Sequence, residues 1–251
     1  MGASSSGGGG EYAKELELQR REAELKVREA RLAEREKITG TFTPPNWPVC
    51  KPMVYHDIDK DIPAGGRWLV KRVYAGWWLA VIVYLANCIA AFSLLVTKVS
   101  TGGNMFGISL LILLVGTPVA FVFWYRPLYN GVRNGSSASF FVFWFNYGFH
   151  LGVAALLAVG IPGWGGVGVI ITLQQFGKNV GVAVLCVIAT VLMIFEVFYG
   201  LWQIKSANTY FKSSGMTTDS AKNEAAMTVL NSRAGREAVK TAAASELRRA
   251  I

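Results

Sequence analysis

Polar and apolar positions along this chain separate into long blocks instead of short amphipathic periods. Four stretches, about Tyr74–Thr97, Met105–Trp124, Phe140–Ile161 and Val180–Gln203, are almost wholly apolar. A hydrocarbon core about 30 Å thick is crossed by roughly 20 helical residues, so each stretch is long enough to be a transmembrane helix. All four are too long and too evenly apolar for barrel strands. The first begins more than seventy residues into the chain and lacks the cleavage pattern of a signal peptide. The predicted fold is an all-α integral membrane protein, a four-transmembrane-helix bundle spanning residues 74–203.

The flanks divide by composition. Residues 1–10 are a Ser/Gly-rich leader with nothing to bury. Its opening, Met1-Gly2-Ala3-Ser4-Ser5-Ser6, also fits the loose pattern for myristoylation at Gly2. Residues 11–38 are rich in Glu, Arg, Lys, Leu and Ala, and pairs such as Glu17/Arg21 and Glu22/Lys26 have the acid-first i,i+4 order that supports a helix. Leu18, Leu25 and Leu32 recur every seven residues, but charged residues occupy the rest of the seam, so a solvated single helix and a coiled coil both stay open. Residues 39–73 form a Pro-rich and then interfacial segment: Thr41–Pro63 holds five of the eight prolines, and Ala64–Val73 carries Arg67, Trp68, Lys71 and Arg72. Residues 204–251 make a basic tail on which the pattern imposes no structure.

Charge placement adds an orientation. The net charge is +9, and mean hydropathy is +0.35. The eight acids and eight bases between Glu11 and Lys37 cancel. The excess sits before the first span, between the second and third (Arg126, Arg133), and after the fourth, whereas the other two links carry only Lys98 and Lys178. By the positive-inside rule the N- and C-termini and the middle link are cytoplasmic. Cys50, Cys88 and Cys186 have no metal-ligand spacing and are expected as thiols, with S-acylation of Cys50 an alternative.

Within the spans, Pro118 is expected to kink or locally break its helix. Gly148-x-x-x-Gly152 permits close helix approach, inside one bundle or between two copies in a homo-oligomer. Glu196 is the one acid deep in a span, and Asn146 and His150 lie at comparable depth in the antiparallel third span. An intramembrane polar cluster of Glu196 with Asn146 or His150 is geometrically allowed. It either holds the bundle together or serves an ion or proton path. Gly163-Trp164-Gly165-Gly166-Val167-Gly168 satisfies GxGxxG literally, yet has no strand before it and is read as a tight membrane-surface turn. No catalytic triad, carboxylate pair or metal cluster is visible, so the chain is read as a non-enzyme without cofactor or metal.

The short link after the second span combines aromatics, arginines and a proline: Phe123-Trp124-Tyr125-Arg126-Pro127-Leu128-Tyr129-Asn130-Gly131-Val132-Arg133. Trp124 and Tyr125 are expected at the headgroup level, Pro127 is expected to stop the helix, and Arg126 and Arg133 to lie at anionic lipid. Each basic residue contributes about 1 kcal/mol near such a surface. Trp124, Tyr125, Arg126, Pro127, Tyr129 and Arg133 are the candidate lipid-binding residues.

This link resembles the CWYRPIYKAFR link of the secretory carrier-associated membrane proteins (SCAMPs). Asn46-Trp47-Pro48, His56-Asp57-Ile58 and Ile62-Pro63 are similar to that family's NWP…HHDI…EIP stretch, and Gly160-Ile161-Pro162-Gly163-Trp164-Gly165 to its IGIPGWG link. Glu196 with Leu201-Trp202, then Tyr210-Phe211-Lys212, resembles the end of its fourth span. The resemblance covers about residues 42–215. It implies vesicle trafficking among Golgi, trans-Golgi network, secretory vesicles, endosomes and plasma membrane, in exocytosis and endocytosis. Membrane lipids, phosphoinositides among them, would be contacted by the middle link during fusion or recycling, and cytoplasmic trafficking proteins by the N-terminal helix. No nucleic acid is expected. Phe123 and Asn130 replace the family's Cys and Lys, which lowers the link's charge, and the Asn-Pro-Phe repeats of many members do not occur. The alternative function is a small channel or transporter using Glu196, Asn146 and His150.

Overall fold

The computed structural model describes residues 44–48 and 52–232, with Glu22 and Glu237 as single further positions. The 1–10 leader, all but one position of the 11–38 helix, Cys50 and nearly all of the tail past residue 232 fall outside the described residues. The chain divides at His56/Asp57 into two units.

In the first unit, Trp47 and Val54 form an antiparallel bridge, each donating its N–H to the other's carbonyl at 3.0 Å. The Asn46 side chain closes the loop on His56, donating to its carbonyl at 3.0 Å and accepting from its N–H at 2.7 Å. The Pro-rich segment is therefore a side-chain-clasped loop, not a simple extended strand.

The second unit is helical. Its elements are α1 (Ile58–Asp61), α2 (Arg67–Val96), α3 (Gly102–Asn134), α4 (Ser137–Val159), α5 (Val169–Gln175), α6 (Val180–Ser213) and α7 (Thr218–Asn231). The helices α2, α3, α4 and α6 are long and apolar enough to cross a membrane, as the block pattern predicts. Their ends differ from the apolar blocks. Helix α2 starts at Arg67, so Arg67, Trp68, Lys71 and Arg72 ride on its first turns. Helix α6 runs on to Ser213.

The largest departure is α3. Neither Pro118 nor Pro127 ends it, and helical backbone persists to Asn134, where Gly135 at φ 62° closes the helix. Each proline follows a wide π-helical segment, Ile112–Gly116 before Pro118 and Phe121–Tyr125 before Pro127. A wider turn relieves the clash between the proline ring and the carbonyl four residues earlier. The 33 residues of α3 rise about 50 Å at the α-helical pitch, well beyond a hydrocarbon core of about 30 Å. The middle link is thus the end of α3, and only Gly135 and Ser136 separate it from α4.

The bundle is filled differently at its two ends. Toward the α5 end, small and aliphatic residues pack together, among them Ala90, Ala91, Leu94, Met105, Cys186 and Ala189. The opposite end holds the starts of α2 and α4, the ends of α3 and α6, and most of the arginines; it is called the basic end below. Aromatic side chains fill it. Trp77 meets Phe121 at 5.5 Å between centroids, Phe121 meets Tyr125 at 5.0 Å, and Phe140 stacks on Tyr210 at 6.0 Å. Large apolar side chains also point outward in every long helix, including Ile82, Leu114, Phe145 and Phe198, the surface expected where the solvent is lipid.

The GxGxxG segment is a loop folded back into the bundle. Asn87, buried in α2, donates to the Gly165 carbonyl at 2.7 Å and accepts from Val167 N–H at 3.0 Å. A Cβ on Gly168 would lie 2.1 Å from the Ala158 carbonyl oxygen, so this position requires glycine for close approach. Gly148 and Gly152 behave otherwise: a Cβ on either meets nothing within 4 Å. The pair is not buried in a helix contact inside this bundle. The tail also contributes structure that composition did not predict. Helix α7, opened by a Thr217/Ser220 capping box, packs on the start of α4.

Candidate functional site

Proline at 127 has no N–H, so the Phe123 carbonyl loses its ordinary helical partner. The side chain of Asn146, reaching from α4, donates to that carbonyl at 2.7 Å. Asn146 therefore repairs the helix at Pro127 and does not join Glu196, which corrects the wider polar cluster.

The helical path sets which side chains of the link face outward. Trp124, Tyr125, Leu128, Tyr129 and Val132 are buried within the bundle, and Trp124 lies 4.7 Å from the Tyr147 ring and 5.3 Å from the His150 ring. The placement of Trp124, Tyr125 and Tyr129 among headgroups is thereby corrected. A helix turns 100° per residue, and alternate flanks of an amphipathic stretch sort accordingly. Phe123 is exposed, and Arg126, Pro127, Asn130 and Arg133 are half-buried on the outer flank.

A second segment holds this flank. The Tyr129 hydroxyl donates to Asp61 Oδ2 at 2.8 Å and accepts from Asp57 N–H at 3.4 Å. Arg133 reaches the same Asp61 oxygen at 3.7 Å, and the Arg126 guanidinium lies 5.3 Å from the Tyr129 ring. Asp57 caps α1 by accepting from Lys60 N–H at 3.1 Å, and this bond holds its carboxyl below the ordinary carboxylate range. Across the turn, Glu224 of α7 accepts from Ser136 Oγ at 2.7 Å, from Ser137 N–H at 3.1 Å and from Ala138 N–H at 3.2 Å. A carboxylate at the start of α4 meets its unpaired N–H groups and the positive end of its dipole.

Deeper in the bundle, His150 Nε2 lies 3.1 Å from Glu196 Oε1, and His150 Nδ1 lies 3.3 Å from the Tyr84 hydroxyl. Glu196 Oε2 is buried and has no hydrogen-bond partner among the described residues. Beside this row, Tyr147 donates to Gln203 Oε1, and Gln203 Nε2 donates to the Arg72 carbonyl at 3.0 Å. Arg72 itself lies 4.0 Å over the Trp202 ring and donates to Ser206 Oγ at 3.3 Å. Tyr84, Gln203 and Asp61 were absent from the sequence reading. The polar interruption of an apolar run was a usable signal for Gln203, but Tyr84 and Asp61 carried none. Among the described residues no three His, Cys, Asp or Glu side chains converge on a metal site.

Comparison with known proteins agrees with the motif pattern. The SCAMP family profile matches residues 44–214. Secretory carrier-associated membrane protein 5 of Mus musculus is 32% identical over 189 residues, which is 75% of this chain and 80% of the relative. Secretory carrier-associated membrane protein 5B of Xenopus laevis is 33% identical over 174 residues, covering 69% and 73%. Secretory carrier-associated membrane protein 3 of Mus musculus is 35% identical over 209 residues, covering 79% and 58%. No solved structure matches the chain. The pre-span motif ending at Asp61 and the link motif ending at Arg133 meet physically through Tyr129, and both fall inside the matched region. The chain belongs to the family of secretory carrier-associated membrane proteins, as a multi-pass protein of secretory and endosomal membranes.

Proposed function

We propose that the protein serves vesicle traffic as a non-enzymatic, four-span component whose link between spans two and three engages anionic lipid on the cytoplasmic face during fusion or recycling. The membrane-trafficking role follows from family membership; the lipid contact is a finer reading. It is carried by one observation: Arg126 and Arg133 occupy the outer flank of the α3 extension, directly after the exposed Phe123. Seven residues separate the two arginines, about 10 Å of helical rise, so both can reach one patch of headgroups. Trp124, Tyr125, Pro127 and Tyr129 then have a positioning role, fixing from inside which flank faces out. Cytoplasmic orientation of this end rests on its excess of Lys and Arg. The N-terminal charged helix is assigned to trafficking partners.

Full-length protein in liposomes with and without a phosphoinositide tests the reading by lipid-dependent vesicle tethering. Arg126→Ala with Arg133→Ala is expected to abolish the phosphoinositide dependence. Tethering unchanged in the double variant rejects the lipid contact.

A second reading, an ion or proton path, has one specific support: Glu196 keeps a buried carboxylate oxygen without a partner among the described residues, beside His150 and Tyr84. Ion flux through reconstituted protein that is lost in Glu196→Gln would favour it; no flux would remove it.

A further inference from the structure

A different surface of the bundle combines an unsatisfied donor, a cation and an open furrow. Along α6, Leu201, Ile204, Lys205 and Asn208 recur at i, i+3, i+4 and i+7 and so share one face. Opposite them stands Trp144 of α4, and together these five residues line a cleft of about 440 Å³ at the basic end. None of the five is acidic. The upper wall is all donors: the Lys205 ammonium, the Asn208 amide and the Trp144 indole N–H.

The Trp144 nitrogen carries particular weight. It is buried and has no hydrogen-bond partner among the described residues. Its ring cannot easily swing to find one, because Phe140, Phe141 and Phe211 pack around it at 5.9, 5.2 and 5.1 Å between centroids. A buried donor held rigidly without an acceptor is costly unless the acceptor comes from outside the chain. Lys205 beside it asks that the acceptor be an anion.

Below the donors the surface becomes apolar and continues as a groove. One turn deeper than Trp144 on the same flank is Gly148, where a Cβ would meet nothing within 4 Å. Farther along, Ala155 and Val159 of α4 face Ile194, Val197 and Phe198 of α6 across a second cleft of about 470 Å³. Val197 lies one turn below Leu201, so the two clefts succeed one another along the same pair of helices. Trp144 to Ala155 spans eleven residues, about 16 Å of rise. That is close to half of a hydrocarbon core about 30 Å thick, the depth of one leaflet.

We propose that this α4–α6 furrow binds one anionic phospholipid, its phosphate held by Trp144, Lys205 and Asn208 and an acyl chain lying over Gly148 toward Ala155 and Phe198. The donor set at the mouth and the apolar floor below match the two chemistries of one amphiphile. The site shares no residue with the α3 link, so it gives the protein a resident lipid separate from any membrane that the link engages.

Native mass spectrometry of the full-length, detergent-purified protein, titrated with dioleoylphosphatidylserine or dioleoylphosphatidylcholine, tests this site. The wild type is expected to retain one phosphatidylserine, preferred about fivefold over phosphatidylcholine, the effect of one favourably placed cation. Lys205→Gln should erase the preference, and Trp144→Phe should weaken phosphatidylserine retention while keeping the aromatic packing. Gly148→Leu, at a position open to a side chain, should fill the groove and reduce retention of both lipids. Arg126→Ala with Arg133→Ala should leave this retention intact while altering only vesicle tethering by the link. Equal retention of the two lipids by the wild type, or wild-type retention by both Lys205→Gln and Gly148→Leu, overturns the proposal.

Discussion

Asn146 on α4 donates its side-chain N–H to the Phe123 carbonyl of α3 at 2.7 Å, the carbonyl left without its helical partner by Pro127. One amide side chain thereby lets a proline sit inside a helix that continues to Asn134. The link's orientation follows from this repair, because a helix that stopped at Pro127 would not hold Trp124, Tyr125 and Tyr129 on its inner flank.

Replacing Asn146 by Leu should leave the Phe123 carbonyl unpaired and cost about 1–3 kcal/mol, read as a lower thermal midpoint in detergent. The loss should shrink in a Pro127→Ala background, where a backbone N–H returns to position 127. Equal losses in both backgrounds would show that the two residues are not coupled.

Asp61 holds Tyr129 and Arg133 together. Asp61→Ala should free Arg133 for lipid phosphates and strengthen binding to anionic liposomes by about fivefold at low salt, the worth of one basic residue near such a surface. The gain should disappear in Asp61→Ala with Arg133→Ala. Binding that is unaffected or weaker in Asp61→Ala would mean that the ion pair does not restrain the link.

The His150–Glu196 contact should tolerate a donor swap better than a donor loss. His150→Gln can still donate to Glu196 Oε1 and is expected to stay within about 1 kcal/mol of wild type, in line with hydrogen bonds measured between membrane helices. His150→Phe leaves Glu196 buried without a partner and should cost clearly more. Unfolding in mixed micelles ranks the two; a reversed order would remove the pairing from the account of stability.

Glycines that look alike in sequence should respond oppositely. Gly168→Ala drives a methyl against the Ala158 carbonyl and is expected to cost on the order of 1–3 kcal/mol. Gly148→Ala meets open space and should be nearly neutral. Comparable thermal midpoints for the two variants would contradict the folded-back loop.

Glu224→Ala should release α7 from the start of α4, where its carboxylate receives three hydrogen bonds. Limited proteolysis is expected to cut within Thr218–Asn231 sooner than in wild type. An unchanged cleavage rate would show that apolar packing alone holds the tail helix.

By itself the sequence determined the number of spans and the family, because hydropathy over twenty residues and short motifs are local properties of the chain. Helical backbone satisfies its own hydrogen bonds in lipid, so an apolar block of that length has one economical structure. Local pattern also identified the polar residues that matter, His150, Glu196 and Asn146, as costly exceptions within apolar runs. Which of them meet was decided only in three dimensions: His150 bonds Glu196, whereas Asn146 turns to a carbonyl 23 positions earlier. The same holds for the link. Proline has a strong local preference to end a helix, and that preference was overridden by a π segment and a partner on another helix. Tyr129 looked like an interfacial aromatic until Asp61, 68 positions away, supplied its acceptor. Such pairings depend on helix packing and register, and no local window of sequence contains both partners.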